Sequence, residues 1–581
     1  MKILGINGLG VLPSASIVDN GNMVAFAEEE RFTRIKGSEG LMPAQAVKYC
    51  MDAAGAGLAD ISYIAFSWDA RLYTYYMPYF FLKQYLRSRS GVNASGGARR
   101  VMQELWKYNP VKVRKDIRDM LSQAGFRGKM PPVKFVSHHL SHAASAFFCS
   151  GLDESLILVV DGSGEYKSTS VYQGRGRDIK EIRSFDLPNS IGWFYQSITE
   201  YLGFKPNHHE GKVMALAAYG QPDSLLAAKM SLLLKSSADG LYAHNSIYSF
   251  TGTHSKGMVF SDQLEALLGP AREPGSEITQ YHNNIAFVAQ QILEQTCLDV
   301  LKPWIEQPGF SGNLCIAGGV GLNCKMNGVL ARYPAVRQIF APPHSSDNGA
   351  ALGAALQVSV DKGITVDAVM KHAYWGPSYT EQEIEQLLEE LNIPFSKEPD
   401  IVSKTAGLLV DHKVIAWFQG RMEVGSRALG NRSILANPSK VATRDFINRK
   451  IKNRELWRPF AASMLYEYKD QYLEETQESP FMTIAFKASA QFAQLAPAAI
   501  HLDGTTRPQL VRQSENPRYW NLIRSFGEQT GTYALLNTSF NLREEPIVCT
   551  PRQALNTFLN SELDCLVMES FLIQKNGPCV V

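Results

Sequence analysis

The chain has 581 residues, 45% hydrophobic and 20% charged, an ordinary globular composition that at about 100 to 200 residues per domain calls for two or three cores. Its 58 basic and 56 acidic residues leave a net charge of +2, which excludes a dedicated nucleic-acid coat or a polybasic membrane binder and makes any anion site local. Eight cysteines without a CxxC pair argue against a zinc ribbon or a disulfide framework and fit a reducing cytoplasm, and no stretch reaches the roughly 18 apolar residues that span a bilayer.

Met1–Ser16 superficially mimics a signal peptide. Asn7 and three glycines interrupt its apolar run, however, and the charged segment Glu28–Arg34 follows, so it reads as a strand, Lys2–Ile6, and a turn. The chain returns as a hairpin through Asp19-Asn20-Gly21. Ser155–Asp161 repeats the design, with the turn Gly162-Ser163-Gly164 and the return strand Thr169–Gln173. Two copies predict a duplicated α/β fold whose turns face a shared cleft. A third Gly-rich turn ends the strand at Asn313–Gly319 and leads through Asn323 into a helix, whose N-terminus offers unpaired N–H groups to an anion. A single turn of this kind more often merely connects elements; three in one register are harder to dismiss.

Glu200–Tyr219 changes from a polar loop to an apolar helix at Glu210-Gly211-Lys212. Another helix follows Asp347-Asn348-Gly349, where Ala350, Ala351, Gly353, Ala354 and Ala355 permit tight packing. The pattern loosens around residues 360 to 380, which sets a boundary and gives domains 1–368 and 369–581. Thr380 opens an amphipathic helix with Glu381 and Glu383 in its first turn. From Arg421 to Arg458 there are ten Lys and Arg against three acidic residues, a local excess of seven, so the rest of the chain is net acidic by five. The run is interleaved with Gly425, Gly430, Pro438 and Trp457. It does not alternate with acids as a solvated helix face would, and it suits a phosphate-bearing small ligand.

Val136–Ala143 reads VSHHLSHA. His138 and His142 stand four apart on one helical face, so both imidazoles can reach one metal ion, while His139 points elsewhere. A third ligand must come from afar. Asp347, at a turn before a helix, is a suitable oxygen donor, with a helix N-cap as its alternative role.

The motifs MKILGIN, AEEERFTRIK, HHLSHA, VVDGSGE, EGKVMALAAYG, AGGVGLN, SSDNGAALGAA, GRMEVGSRALGNRSIL, IKNRELWRPFA and NTSFNLREEPIV, in this order, resemble the NodU/CmcH family of O-carbamoyltransferases over almost the whole chain. The resemblance implies a large N-terminal domain of the actin-like ATPase fold, similar to the threonylcarbamoyl transferases, and a smaller α+β C-terminal domain similar to YrdC. It implies that the C-terminal domain makes carbamoyl adenylate from carbamoyl phosphate and ATP, with Mg(II), and that the N-terminal domain transfers the carbamoyl group to a small-molecule hydroxyl acceptor. Carried over by motif, His138, His142 and Asp347 are metal ligands, for Fe(II) by family habit, and Asp161 lies beside the nucleotide's charged groups. Lys212 falls in the EGK motif and Gly318, Gly319 and Asn323 in the nucleotide turn. Arg427, Lys452 and Arg458 match the phosphate-binding positions, joined by Arg507, Asn537 and Ser539. Without the resemblance, Asn537–Asn541 reads as a polar turn after the strand Tyr533–Leu536.

The family's first turn carries a His-Asp pair, where this chain has Leu12-Pro13. His139 is then the first choice for the base that deprotonates the acceptor, with a structural histidine as the alternative. The aromatic stretch Leu72–Leu86 reads first as buried packing and second as an apolar wall for a bulky acceptor. Rival readings are a threonylcarbamoyl-type transferase acting on tRNA, disfavoured by the charge, an actin-like kinase, which leaves the arginine run unexplained, and a regulator or scaffold that binds carbamoyl adenylate without turning it over. A cytoplasmic protein, with no nucleic-acid or membrane partner and compatible with a homodimer, completes the expectation.

Overall fold

The computed structural model describes residues 1–87, 102, 105–249 and 259–575; the side chains of Phe81 and Tyr85, and Cys579, lie outside them. The chain divides into two compact units, one of Met1–Val24 with Glu39–Val369, the other of Ala25–Ser38 with Met370–Val581. The division at Val369 lies within residues 360 to 380, where the sequence pattern loosens. The assignment of Ala25–Ser38 to the second unit has no counterpart in that pattern.

The first unit is built around two sheets. One takes β1 (Lys2–Asn7), β2 (Ser14–Asp19), β3 (Asn22–Glu28, whose residues from Ala25 on are counted with the second unit), β4 (Ile61–Phe66) and β5 (Val133–Phe135), in the order β3-β2-β1-β4-β5. The other takes β6 (Glu154–Val160), β7 (Lys167–Arg175) and β8 (Asp178–Asp186). After a separate small hairpin of β9 (Leu234–Ser236) and β10 (Tyr242–His244), it is completed by β11 (Asn313–Ala317) and β12 (Gln338–Phe340), in the order β12-β11-β6-β7-β8. In each, the first strand pairs antiparallel with the second and parallel with the fourth, and the fourth pairs parallel with the fifth. The fold is therefore mixed α/β, and unit 1 contains one design twice. The hairpin β2–β3 turns through Asn20 and Gly21, at φ 47° and 81°, the left-handed pair that a two-residue turn needs.

Two helices fix the histidine motif in place. His138–Ser150 and Ala350–Asp361 pack so closely that a Cβ on Gly353 would stand 1.8 Å from the carbonyl oxygen of Ser141. Only glycine permits that approach, and it sets the turn at Asp347 beside the start of the histidine helix. The helix Ala70–Arg87 departs from the expectation of buried packing: Tyr73 and Met77 are buried, but Tyr75 and Tyr79 are 77% and 70% exposed. A helix buries one stripe, here the i, i+4 pair, and aromatics placed around its circumference exceed what one stripe can hold.

The second unit is built on an eight-stranded mixed sheet. In chain order the strands are β13 (Ser396–Lys397), β14 (Ile415–Phe418), β15 (Arg432–Ala436), β16 (Ala461–Leu465), the separate pair β17 (Phe486–Lys487) and β18 (Thr505–Thr506), then β19 (Gln509–Val511), β20 (Ala534–Ser539), β21 (Cys565–Met568) and β22 (Phe571–Gln574). The sheet order is β13-β22-β21-β14-β15-β20-β16-β19. Trp417 and Leu435 from the sheet, with Leu522 and Phe526 of helix Pro517–Thr530 and Leu409 of helix Ile401–Val410, share one buried core. Thr380 opens helix Glu381–Glu390 as expected, and also caps it in a reciprocal box with Glu383. Asn537 and Ser539 lie within β20, so the polar turn expected from Asn537 begins later: pairing with β15 and β16 extends the strand past Leu536.

Candidate functional site

His138 and His142 project from the first turns of the helix His138–Ser150, and their Nε2 atoms lie 3.1 Å apart. Asp161, at the end of β6, brings Oδ2 to 3.0 Å from His138 Nε2 and 3.6 Å from His142 Nε2. Asp347 Oδ1 lies 3.6 Å from both. Its carboxylate caps no helix and faces the two imidazoles. The four donor atoms lie within 4.8 Å of one another, and all four residues are buried. The sequence sets Asp161 apart as a nucleotide neighbour; the structure adds it to the cluster.

The electrostatics suit a cation. Burial pushes the His138 imidazole down, but Asp347 and Asp161 outweigh it and hold it well above its ordinary value; His142 is also raised, against burial and the neighbouring His138. Burial would raise the Asp161 carboxyl, yet its bonds to the two histidines hold it well below the usual range. Two buried carboxylates facing two imidazole nitrogens form a nitrogen and oxygen donor set for a divalent first-row ion, and His142 Nδ1 is buried with no hydrogen-bond partner. His138 Nδ1 sits 3.3 Å from Ser67 O, which turns Nε2 toward the carboxylates. The Trp68 ring packs at 4.8 Å against the His138 ring and stacks at 4.8 Å on Tyr108.

The third Gly-rich turn supports the same cluster. Gly318, at φ 89°, stands where a Cβ would come within 2.2 Å of Val160 O, and Gly319 N donates to Asp161 Oδ1 at 3.2 Å. Asn323 caps the next helix by accepting from Met326 N, and its side chain exchanges two hydrogen bonds with Gln290. Lys212 is buried in the helix Glu210–Leu216, its ammonium 5.4 Å from the Phe204 ring. His139 stands outside the cluster: Nδ1 bonds Ser170 Oγ at 2.8 Å, Nε2 is buried without a partner, and burial with the nearby His138 holds it well below its ordinary value.

The second unit gathers cations. Lys452 is buried, with Nζ bonded to Ser539 O and donating to Asn541 Oδ1 at 2.7 Å and Asn541 O at 2.9 Å. Burial and then Arg454, Lys36 and Arg458 hold it well below its ordinary value. Arg454, which the sequence does not single out, is depressed by burial and then by Arg458, with Arg507 and Arg427 adding to it and Glu455 opposing. These guanidinium groups thus sit in one another's field. Arg507 Nε and Asn537 Oδ1 are buried without partners, and Asn537 Nδ2 donates to Ser463 Oγ at 2.9 Å and Ala428 O at 3.2 Å. The loop that carries Arg427 is pinned by Glu423, whose buried Oε1 accepts from the amides of Leu429, Asn431 and Arg432. The structure brings Lys452 and Ser539 into contact, and Arg427, Arg458 and Arg507 lie near enough to Arg454 for their charges to depress it. In sequence, Arg454 and Glu423 signal themselves only as members of the long motifs that carry their neighbours.

Residues 2–356 match the carbamoyltransferase N-terminus family and residues 406–575 the carbamoyltransferase C-terminus family. The chain belongs to the carbamoyltransferases. Among the relatives of this carbamoyltransferase, nodulation protein NolNO of Sinorhizobium fredii is 36% identical over 577 residues, 97% of this chain and 78% of that protein. The 3'-hydroxymethylcephem-O-carbamoyltransferase of Amycolatopsis lactamdurans is 30% identical over 427 residues, 72% of this chain and 76% of that protein. The solved structure of T. kodakarensis HypF aligns with 63% of this chain and 48% of its own at 12% identity and a TM-score of 0.29.

Proposed function

We propose that this carbamoyltransferase is ATP-dependent and carbamoylates a hydroxyl of a natural product or sugar by way of carbamoyl adenylate. The observation that carries the reading is the cation cluster of unit 2. Lys452, Arg454 and Arg458 are desolvated in one another's field, a cost that a bound polyanion offsets. In this reading the second unit, YrdC-like by resemblance, cleaves carbamoyl phosphate with water to carbamate and phosphate. The carbamate oxygen then attacks the α-phosphorus of Mg(II)-bound ATP, and pyrophosphate leaves. Arg427, Lys452, Arg458, Arg454 and Arg507 neutralise the phosphate charge, and Asn537 and Ser539 orient the flat carbamoyl group.

In the first unit, actin-like by resemblance, the acceptor oxygen attacks the carbamoyl carbon, the bond to the adenylate oxygen breaks, AMP departs and the acceptor proton passes to a base. His138, His142, Asp161 and Asp347 would hold a divalent ion, Fe(II) by family habit, which when bound supplies Lewis-acid polarisation. Lys212, Gly318, Gly319 and Asn323 serve the adenylate. His139 is offered as the base, through its unpartnered Nε2. The seven described cysteines are free and buried, which supports a cytoplasmic setting, and a homodimer is compatible with the reading.

Leu12-Pro13 in place of the family's His-Asp pair favours one second reading, a protein that binds carbamoyl adenylate without transferring it. Mass spectrometry of products formed from carbamoyl phosphate, ATP and a panel of hydroxylated acceptors tests both. A product heavier than its acceptor by one carbamoyl group supports transfer. Pyrophosphate release with no carbamoylated acceptor supports the second reading, and neither event refutes both.

A further inference from the structure

Glu165 lies four residues beyond Asp161 on the turn between β6 and β7 and is almost fully buried. One oxygen, Oε1, accepts two backbone hydrogen bonds, from His138 N at 2.8 Å and from Asp69 N at 2.7 Å. Each donor belongs to a segment that sets the histidine cluster. His138 opens the helix His138–Ser150, so its N–H has no partner within the helix, and the N-cap residue Ser137 makes no side-chain capping bond. Asp69 closes the segment Ser67–Asp69, whose Ser67 carbonyl faces His138 Nδ1 at 3.3 Å. Ser67 is itself held, through Oγ donating to Asn7 Oδ1 at 2.9 Å.

One carboxylate oxygen therefore ties the backbone of His138 to the segment that orients the His138 ring. It does so from the same short turn that delivers Asp161. A carboxylate that only capped a helix would need one of these bonds; the second, to Asp69, adds nothing to the helix and fixes the ring's other constraint.

We infer that Glu165 is a positioning residue of the first unit's metal centre, holding His138 at its place by bridging the amides of His138 and Asp69. The inference rests on the reading of His138, His142, Asp161 and Asp347 as a metal site. Outer partners of this kind typically change metal affinity 10- to 100-fold when removed.

The test is titration of the full-length, metal-stripped protein with Co2+, followed by its visible absorption, beside thermal melting of the metal-free form. Glu165→Asp keeps the charge but is one methylene too short to reach both amides. Glu165→Gln keeps the reach and an acceptor oxygen but loses the charge. The expected result is Co2+ affinity weakened tenfold or more in Glu165→Asp and within threefold of the parent in Glu165→Gln, with metal-free melting near the parent's in both. Parental affinity in Glu165→Asp overturns the inference. Equal loss in both variants assigns the effect to charge and overturns it too, and loss of the metal-free fold in Glu165→Asp assigns Glu165 to folding. A parent that binds no Co2+ overturns the metal reading, and this inference with it.

Discussion

Lys452 and Arg454 are cations held out of water beside other cations, and the ligand-free protein bears that cost. For Lys452 the sign follows directly. Its folded value lies below the ordinary 10.5, so in the window between the two the unfolded chain holds more protons and stability rises with pH. Within that window a bound anion restores the proton, so pyrophosphate binding should take up a proton there and weaken as pH climbs through it. Calorimetry in buffers of different ionisation heat reads the uptake, and Lys452→Met should abolish it. Arg458→Ala should lower pyrophosphate release from carbamoyl phosphate and ATP by about 100-fold or more with the fold intact, and Arg458→Lys should recover little because a bidentate contact is lost. An unchanged rate in Arg458→Ala removes the residue from the site. At this scale the sequence is legible where spacing decides the contact. His138 and His142 announce themselves by separation, whereas Asp161 joins them only because β6 ends beside the helix. Arg454 is one more cation in a basic run until burial distinguishes it.

The helix Ala70–Arg87 shows where composition misleads. An aromatic-rich segment reads as core, yet its period decides which rings are covered. Tyr73 packs on Tyr108 at 4.7 Å, Tyr76 stacks on Tyr166 at 4.1 Å, and Tyr75 and Tyr79 face water. Tyr73→Ala should cost about 3 kcal/mol of stability and Tyr79→Ala less than about 0.5, measured by denaturant unfolding. Comparable losses would mean that Tyr79 is covered in solution. By contrast the repeated strand and turn design is legible because both copies carry the same punctuation: an apolar strand, a glycine turn and a return strand. The small-residue run after Asp347 is legible for a physical reason as well, since only a residue without a Cβ admits the approach seen at Gly353. The extension of β20 through Ser539 is not, because polar residues enter a strand when a partner supplies the ladder, here β16 as far as Asn537 and β15 as far as Ser539.

Each unit carries its own cluster, and ligands should therefore act on them separately. His142→Ala should lose bound metal by elemental analysis and lose carbamoyl transfer, while pyrophosphate release continues near the parental rate; full metal content in that variant would contradict the ligand assignment. The division of the chain sharpens a further expectation, because the second unit is not a continuous C-terminal segment. It includes Ala25–Ser38, within which Arg31 Nη2 donates to Gly425 O at 2.6 Å, Glu28 Oε1 accepts from Gly425 N at 2.6 Å, and Arg34 donates to Ile547 O and Pro546 O at 2.7 and 2.8 Å. Arg31 and Glu28 are both buried, so these are desolvated, charge-assisted bonds whose removal leaves backbone groups of the Arg427 loop unpaired. A fragment cut at the apparent boundary, residues 370–581, should accordingly melt well below the second unit within the full chain. A synthetic peptide of residues 25–38 added in excess should raise that melting temperature, as any ligand of the folded state alone does. The same peptide with Arg31→Ala should raise it less, since the buried guanidinium is the group that reaches Gly425. A fragment that melts like the full chain, indifferent to the peptide, would show that the segment 25–38 rides on the second unit without stabilising it.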